Sequence, residues 1–94
     1  MKLKWTHRAL RQVDDAFAYI AQDNPTAAQQ VVERIAEASR KLLDHPNIGK
    51  PGRVAGTREW VVTGTPYTIF YVLTGDTVEI IRVLHSKQSW PPKR

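Results

Sequence analysis

The spacing of apolar residues changes its period once along this chain, at a single break. Up to Asp44 the apolar positions recur at steps of three and four; beyond Gly52 they alternate. A helical half therefore precedes a strand half, and each must bury its apolar face against the other. The 94 residues leave room for one such core, so residues 1–94 are expected to form one domain.

Leu3-Lys4-Trp5 reads as a short strand with Leu3 and Trp5 on one face. Thr6 suits a helix N-cap, since its hydroxyl can accept a free first-turn N–H, and Trp5 and Leu10 occupy the positions of a hydrophobic staple. Leu10, Val13, Phe17 and Ile20 then form one apolar stripe of a first helix, leaving Arg8, Arg11, Asp14 and Asp15 in solvent. Asp23-Asn24-Pro25 interrupts it. Asn24 can cap a second helix whose first position takes Pro25, and Ala28, Val31, Val32, Ile35, Ala38 and Leu42 carry that helix to Asp44. So short a connection makes the two helices an antiparallel hairpin.

His45-Pro46 ends the helical half, because a residue before proline disfavours the α region. Residues 47–52 read as a loop. Arg58, Trp60 and Val62 then alternate with Glu59 and Val61, Gly64-Thr65-Pro66 turns, Tyr67–Leu73 forms a strand, Thr74-Gly75-Asp76 closes a tight hairpin, and Thr77–Leu84 follows as the last strand. The tail, Trp90-Pro-Pro-Lys-Arg94, can neither extend a helix nor sit in a central strand. The expected fold is α+β, in the order β-α-α-β-β-β, with a helical hairpin packed on a mostly antiparallel four-stranded sheet.

Cysteine is absent, which excludes disulfides and thiolate chemistry. No apolar run approaches a membrane span and the N-terminus has no apolar signal core, so a cytoplasmic location is expected, with no membrane partner. The net charge of +5 is uneven: residues 1–44 hold seven Lys/Arg against six Asp/Glu, and residues 45–94 seven against three. The strand half therefore suits a polyanion or an acidic protein segment, unless the charge serves solubility alone.

Few motifs carry chemistry. Gly49, Gly52 and Gly56 precede no helix and make no phosphate cradle. His7, His45 and His85 lie on separate elements without partners at ligand spacing, and Ser39, Ser86 and Ser89 lack a nucleophile elbow, so no metal or other cofactor is expected. There remain the basic residues of the strand half: Arg53, Arg58, Arg82, His85 and Lys87. Arginine contacts phosphate or carboxylate with two parallel N–H bonds. Arg82 interrupts an apolar run, where it either serves a site or pairs with an acid such as Glu59 across the sheet. In a regular strand Val78, Ile80, Arg82 and Leu84 share one face and Glu79, Ile81, Val83 and His85 the other. Arg82 and His85 would serve one site only if the strand ended or bulged near Leu84. His85 is either a general acid or base or a structural strand-end residue. Trp60, Tyr67, Phe70 and Tyr71 either stack on bases or pack the core.

Three blocks, Arg53-Val-Ala-Gly-Thr-Arg-Glu-Trp-Val-Val62, Gly64-Thr-Pro-Tyr-Thr-Ile-Phe-Tyr71 and Glu79-Ile-Ile-Arg-Val-Leu-His85 with Trp90-Pro91 after it, resemble the RelE/ParE toxin superfamily of bacterial type II toxin–antitoxin modules, often described as plasmid stabilisation proteins. The resemblance runs from Trp5 to Pro91. It implies a microbial-RNase-like fold and a cognate acidic antitoxin that wraps the toxin in a hetero-oligomer and blocks growth inhibition. RelE-like members cut mRNA on the ribosome and ParE-like members inhibit DNA gyrase. For the RNA-cleaving reading the resemblance implies Arg58, Arg82, His85 and Lys87 as catalytic residues, His85 matching the strand-end histidine of the YoeB-like pattern. That branch has arginine at the second position of an x-R-L-V-Y strand, where Tyr67-Thr68-Ile69-Phe70-Tyr71 has Thr68. A hydroxyl supplies no fixed charge to a phosphorane-like transition state. Asp44 and Glu59, the acids nearest the loop, sit in no recognisable motif. The resemblance therefore leans to the ParE-like branch, with Arg53, Arg58, Arg82, His85, Lys87 and Trp90 forming a docking surface on gyrase.

Overall fold

The computed structural model describes residues 1–91; the reading of the tail as irregular extends to residues 92–94, which lie outside the described residues. Strand β1 (Lys2–Trp5) leads into helices α1 (His7–Ala21) and α2 (Pro25–Asp44), followed by β2 (Lys50–Pro51), β3 (Arg58–Val61), β4 (Tyr67–Thr74) and β5 (Thr77–His85). Both helix starts follow their capping chemistry. The Thr6 hydroxyl accepts the Ala9 N–H at 3.1 Å, the Asn24 side chain accepts the Ala27 N–H at 3.0 Å, and Pro25 takes the first turn of α2.

The sheet has five strands in the order β1-β5-β4-β3-β2, one more than the sequence suggests. The added strand is Lys50–Pro51, inside the segment read as loop, paired antiparallel with Glu59 and Arg58. Two residues are too few to show a period, and a proline without an N–H is tolerated at a sheet edge. β1 pairs in parallel with β5, and the remaining pairs are antiparallel. Both helices lie on one face. Their side is packed by Ile35, Leu42, Val62, Tyr67, Ile69, Tyr71, Val78, Ile80 and Val83.

The buried stripe of α1 is turned from its expected position. Ala9 and Ala16 are the buried residues, with Val13 and Ile20 packed beside them, while Leu10 and Phe17 are 47% and 41% exposed. Alanines at the contact let the helix axis approach the sheet closely, and the larger side chains fall to its flank. Among the described residues no helix is long and apolar enough to cross a membrane.

Candidate functional site

The register of β5 shifts once. Tyr71 faces Ile80 and Phe70 faces Arg82, so Ile81 is an extra residue in a β-bulge. The bulge corrects the expected parity, because Arg82 and Leu84 leave the face that Val78 and Ile80 occupy. Val83 and His85 face the helices and Arg82 the opposite, outer face. The bulge lies before Arg82, so Arg82 and His85 stay on opposite sides of the sheet. The freed Ile81 carbonyl accepts from the Arg82 guanidinium at 2.9 Å and, more distantly, from the Thr6 hydroxyl at 3.4 Å.

On the outer face four side chains form a stack. The Arg53 guanidinium lies 5.1 Å from the centroid of Phe70, Trp90 meets Phe70 edge-on at 5.2 Å, and Arg82 lies 4.9 Å from the Trp90 ring. Phe70 is thereby buried on the face away from the helices. The partner of Glu59 is Arg53, not Arg82: the guanidinium donates to both carboxylate oxygens at 2.9 Å and the Arg53 backbone N–H donates at 2.8 Å. These bonds hold the Glu59 carboxyl below its ordinary value against the opposing effect of burial, and hold Arg53 above its own. Arg82 is shifted the other way, lowered first by burial and then by the nearby Arg8. Among the described residues the two ion pairs are Arg53–Glu59 and Lys4–Glu79, so Arg82 carries its charge without a carboxylate.

His85 and Lys87 belong to the helix side. They line a cavity of about 510 Å³ with Gln12, Tyr19 and Tyr67. The His85 and Tyr67 rings meet edge-on at 5.3 Å. Burial pushes the Tyr67 phenol up, and Tyr19 adds to the shift. The His85 Nδ1 accepts the Lys87 N–H at 3.1 Å, so the neutral ring carries its proton on Nε2. The atom facing Nδ1 is thus a donor, where an oriented general base has an acceptor.

Arg58 is elsewhere again. It donates to the Gly49 carbonyl at 2.8 Å and to that of Asn47 at 3.4 Å, tying β3 to the chain leaving α2. Tyr71 reinforces that tie: its hydroxyl donates to the Pro46 carbonyl at 2.8 Å and accepts the Gly49 N–H at 3.0 Å. Three of the six expected docking residues, Arg53, Arg82 and Trp90, therefore share one stack; His85 and Lys87 share a cavity on the other side, and Arg58 braces a loop. Arg8 is exposed, as the sequence suggests, and its charge nonetheless reaches Arg82. The signal for it was the absence of any Asp or Glu before Asp14, in a stretch holding Lys2, Lys4, Arg8 and Arg11.

Comparison with known proteins accords with the fold. The pattern of the ParE toxin of the type II toxin–antitoxin system parDE matches residues 3–90. The chain is 47% identical over 90 residues to the putative toxin Y4kP of Sinorhizobium fredii, covering 96% of this chain and 93% of that one. It is 37% identical over 82 residues to toxin RelE2 of Caulobacter vibrioides, covering 87% and 91%. A structure from the chromosomal ParDE system of P. aeruginosa superposes with a TM-score of 0.80 at 26% identity, covering 90% of this chain and 95% of that one. The pattern match and the identity to Y4kP together assign the family: this chain belongs to the ParE toxins of type II toxin–antitoxin systems.

Proposed function

We propose that this toxin arrests growth by binding DNA gyrase and performs no chemistry of its own. One observation carries the reading: the four residues that RNA cleavage would require do not converge. Arg82 faces outward, His85 and Lys87 line a cavity on the helix side, and Arg58 is engaged with loop carbonyls. Phosphoryl-transfer catalysis needs its charged groups around one reacting atom. Thr68 adds to the argument, since it faces Leu84 across the outer face at the position where the RNA-cleaving branch holds a cation. The docking surface is then the outer stack of Arg53, Phe70, Arg82 and Trp90. A cognate acidic antitoxin would neutralise the toxin in the cytoplasm, its negative charge complementing the excess of Lys and Arg.

The test is a supercoiling assay with relaxed plasmid, gyrase and ATP. Supercoiling should fail, or cleaved complexes should accumulate, at micromolar toxin, and cells expressing His85→Ala should still arrest. Normal supercoiling, with mRNA 5′ ends appearing at ribosomal A-site codons and growth restored by His85→Ala, would establish the nuclease instead.

A further inference from the structure

Beyond the docking stack, Lys2, Lys4 and Arg8 gather on one edge of the sheet, which meets the stack at Arg82. Lys2 and Lys4 are exposed and alternate with the inward-facing Leu3 and Trp5 along β1, the outermost strand of the sheet. The Thr6 N–H bonds the Ile80 carbonyl at 3.0 Å, which fixes the first turn of α1 beside the bulge of β5. That turn carries Arg8, whose charge reaches Arg82 across the junction of α1 with β5. No residue before Asp14 is acidic, and the pair Lys4–Glu79, at 3.7 Å with Lys4 69% exposed, is loose and solvent-screened.

Stability does not explain this placement. Cations in the first turn of a helix oppose its dipole, and two neighbouring guanidiniums without a carboxylate repel each other. An anion arriving from outside would relieve both. Two guanidiniums suit phosphate, which each can meet with paired N–H bonds. Lys2 and Lys4, two residues apart on an extended strand, stand about 7 Å from each other, comparable to the step between successive phosphates of one DNA strand. An acidic peptide would offer carboxylates on flexible stems, which impose no fixed step to match that spacing.

We propose that the edge formed by Lys2, Lys4, Arg8 and Arg82 binds the sugar–phosphate backbone of duplex DNA. Resting on the gyrase reading for its setting, the inference places the toxin on the DNA that the enzyme holds as well as on the enzyme.

The experiment is fluorescence anisotropy of a short labelled duplex with toxin freed of antitoxin, at about 50 and about 200 mM salt. Binding should weaken with salt. Arg8→Gln and Lys2→Gln, both at exposed positions, should each weaken it about tenfold at the lower salt and reduce the salt slope by about one. Arg40→Gln, which removes the same charge from an exposed site on α2, should leave binding unchanged. These surface variants carry the test, because Arg82→Gln also unmakes the stack. Equal weakening by Arg8→Gln and Arg40→Gln, preference for single strands, or no binding at the lower salt would each overturn the inference. Gyrase inhibition without DNA binding would overturn it while leaving the gyrase reading intact. DNA binding with unaffected gyrase would keep this edge and remove the gyrase reading.

Discussion

Arg53 holds Glu59 with three hydrogen bonds, two from its guanidinium and one from its own backbone N–H. The carboxylate is thereby buried at 5% exposure on the outer face, and the cation that holds it also covers Phe70. One ion pair thus shapes the floor of the outer stack and fixes the chain between β2 and β3.

Acid should loosen this arrangement. The Glu59 carboxyl lies below its ordinary value of 4.5 because Arg53 hydrogen-bonds its charged form. A depressed carboxyl contributes stability that is fully present above the unfolded value and is lost as pH falls through the folded one. Denaturation midpoints should therefore decline as pH drops below about 4.5. Glu59→Gln should remove that part of the decline and cost about 1–2 kcal/mol near neutral pH, since half-exposed Arg53 recovers solvation when its partner is lost. A pH profile unchanged by Glu59→Gln would contradict this role.

Gly49 should tolerate no side chain. A Cβ there would stand 2.6 Å from the Tyr71 hydroxyl and 2.9 Å from the Glu59 carbonyl oxygen. Gly49→Ala must then displace either the β3 backbone or the phenol that bridges Pro46 and Gly49. The expected loss is about 1–3 kcal/mol by urea titration. Tyr71→Phe, which leaves the Gly49 N–H unpartnered, should lose a similar amount.

Trp90 should matter to stability and to inhibition together. Its ring covers Phe70 on one side and underlies Arg82 on the other. Trp90→Ala should expose Phe70 and cost about 1–2 kcal/mol. It should also weaken gyrase inhibition more than the same loss of stability introduced by Gly49→Ala. Equal inhibition by the two variants, compared at matched folded fractions, would separate Trp90 from the docking surface.

The parts of this fold legible in sequence were those decided by neighbours. Thr6, Asn24 and Pro25 announce helix starts because capping involves residues three apart, and the aromatic and β-branched run Tyr67–Leu73 announces a strand because such side chains fit a pleated surface. The rest depends on distant contacts. The bulge at Ile81 meets the start of α1 through Thr6, across a separation of 75 residues, and no local pattern in β5 records it. Along α1 the periodicity places Val13 and Ile20 correctly but favours Leu10 and Phe17 by their size, whereas the sheet accepts Ala9 and Ala16. Arg53 and Glu59 are only six residues apart, yet the intervening turn decides that they meet. Candidate site residues could thus be named by chemistry, and strand parity already separated Arg82 from His85; which of the two faces the helices was decided by the bulge.

The parallel pairing of β1 with β5 joins the first strand of the described residues to the last. During synthesis the β1 segment emerges early and cannot find its neighbour until Thr77–Ile80 have followed. Such long-range pairing comes late, because closing a long loop is costly before its contacts form. The basic edge and the stack around Arg82 are both built on that closure. The surface proposed for docking therefore takes shape only once the β5 segment has been made, whatever the state of the helices before it.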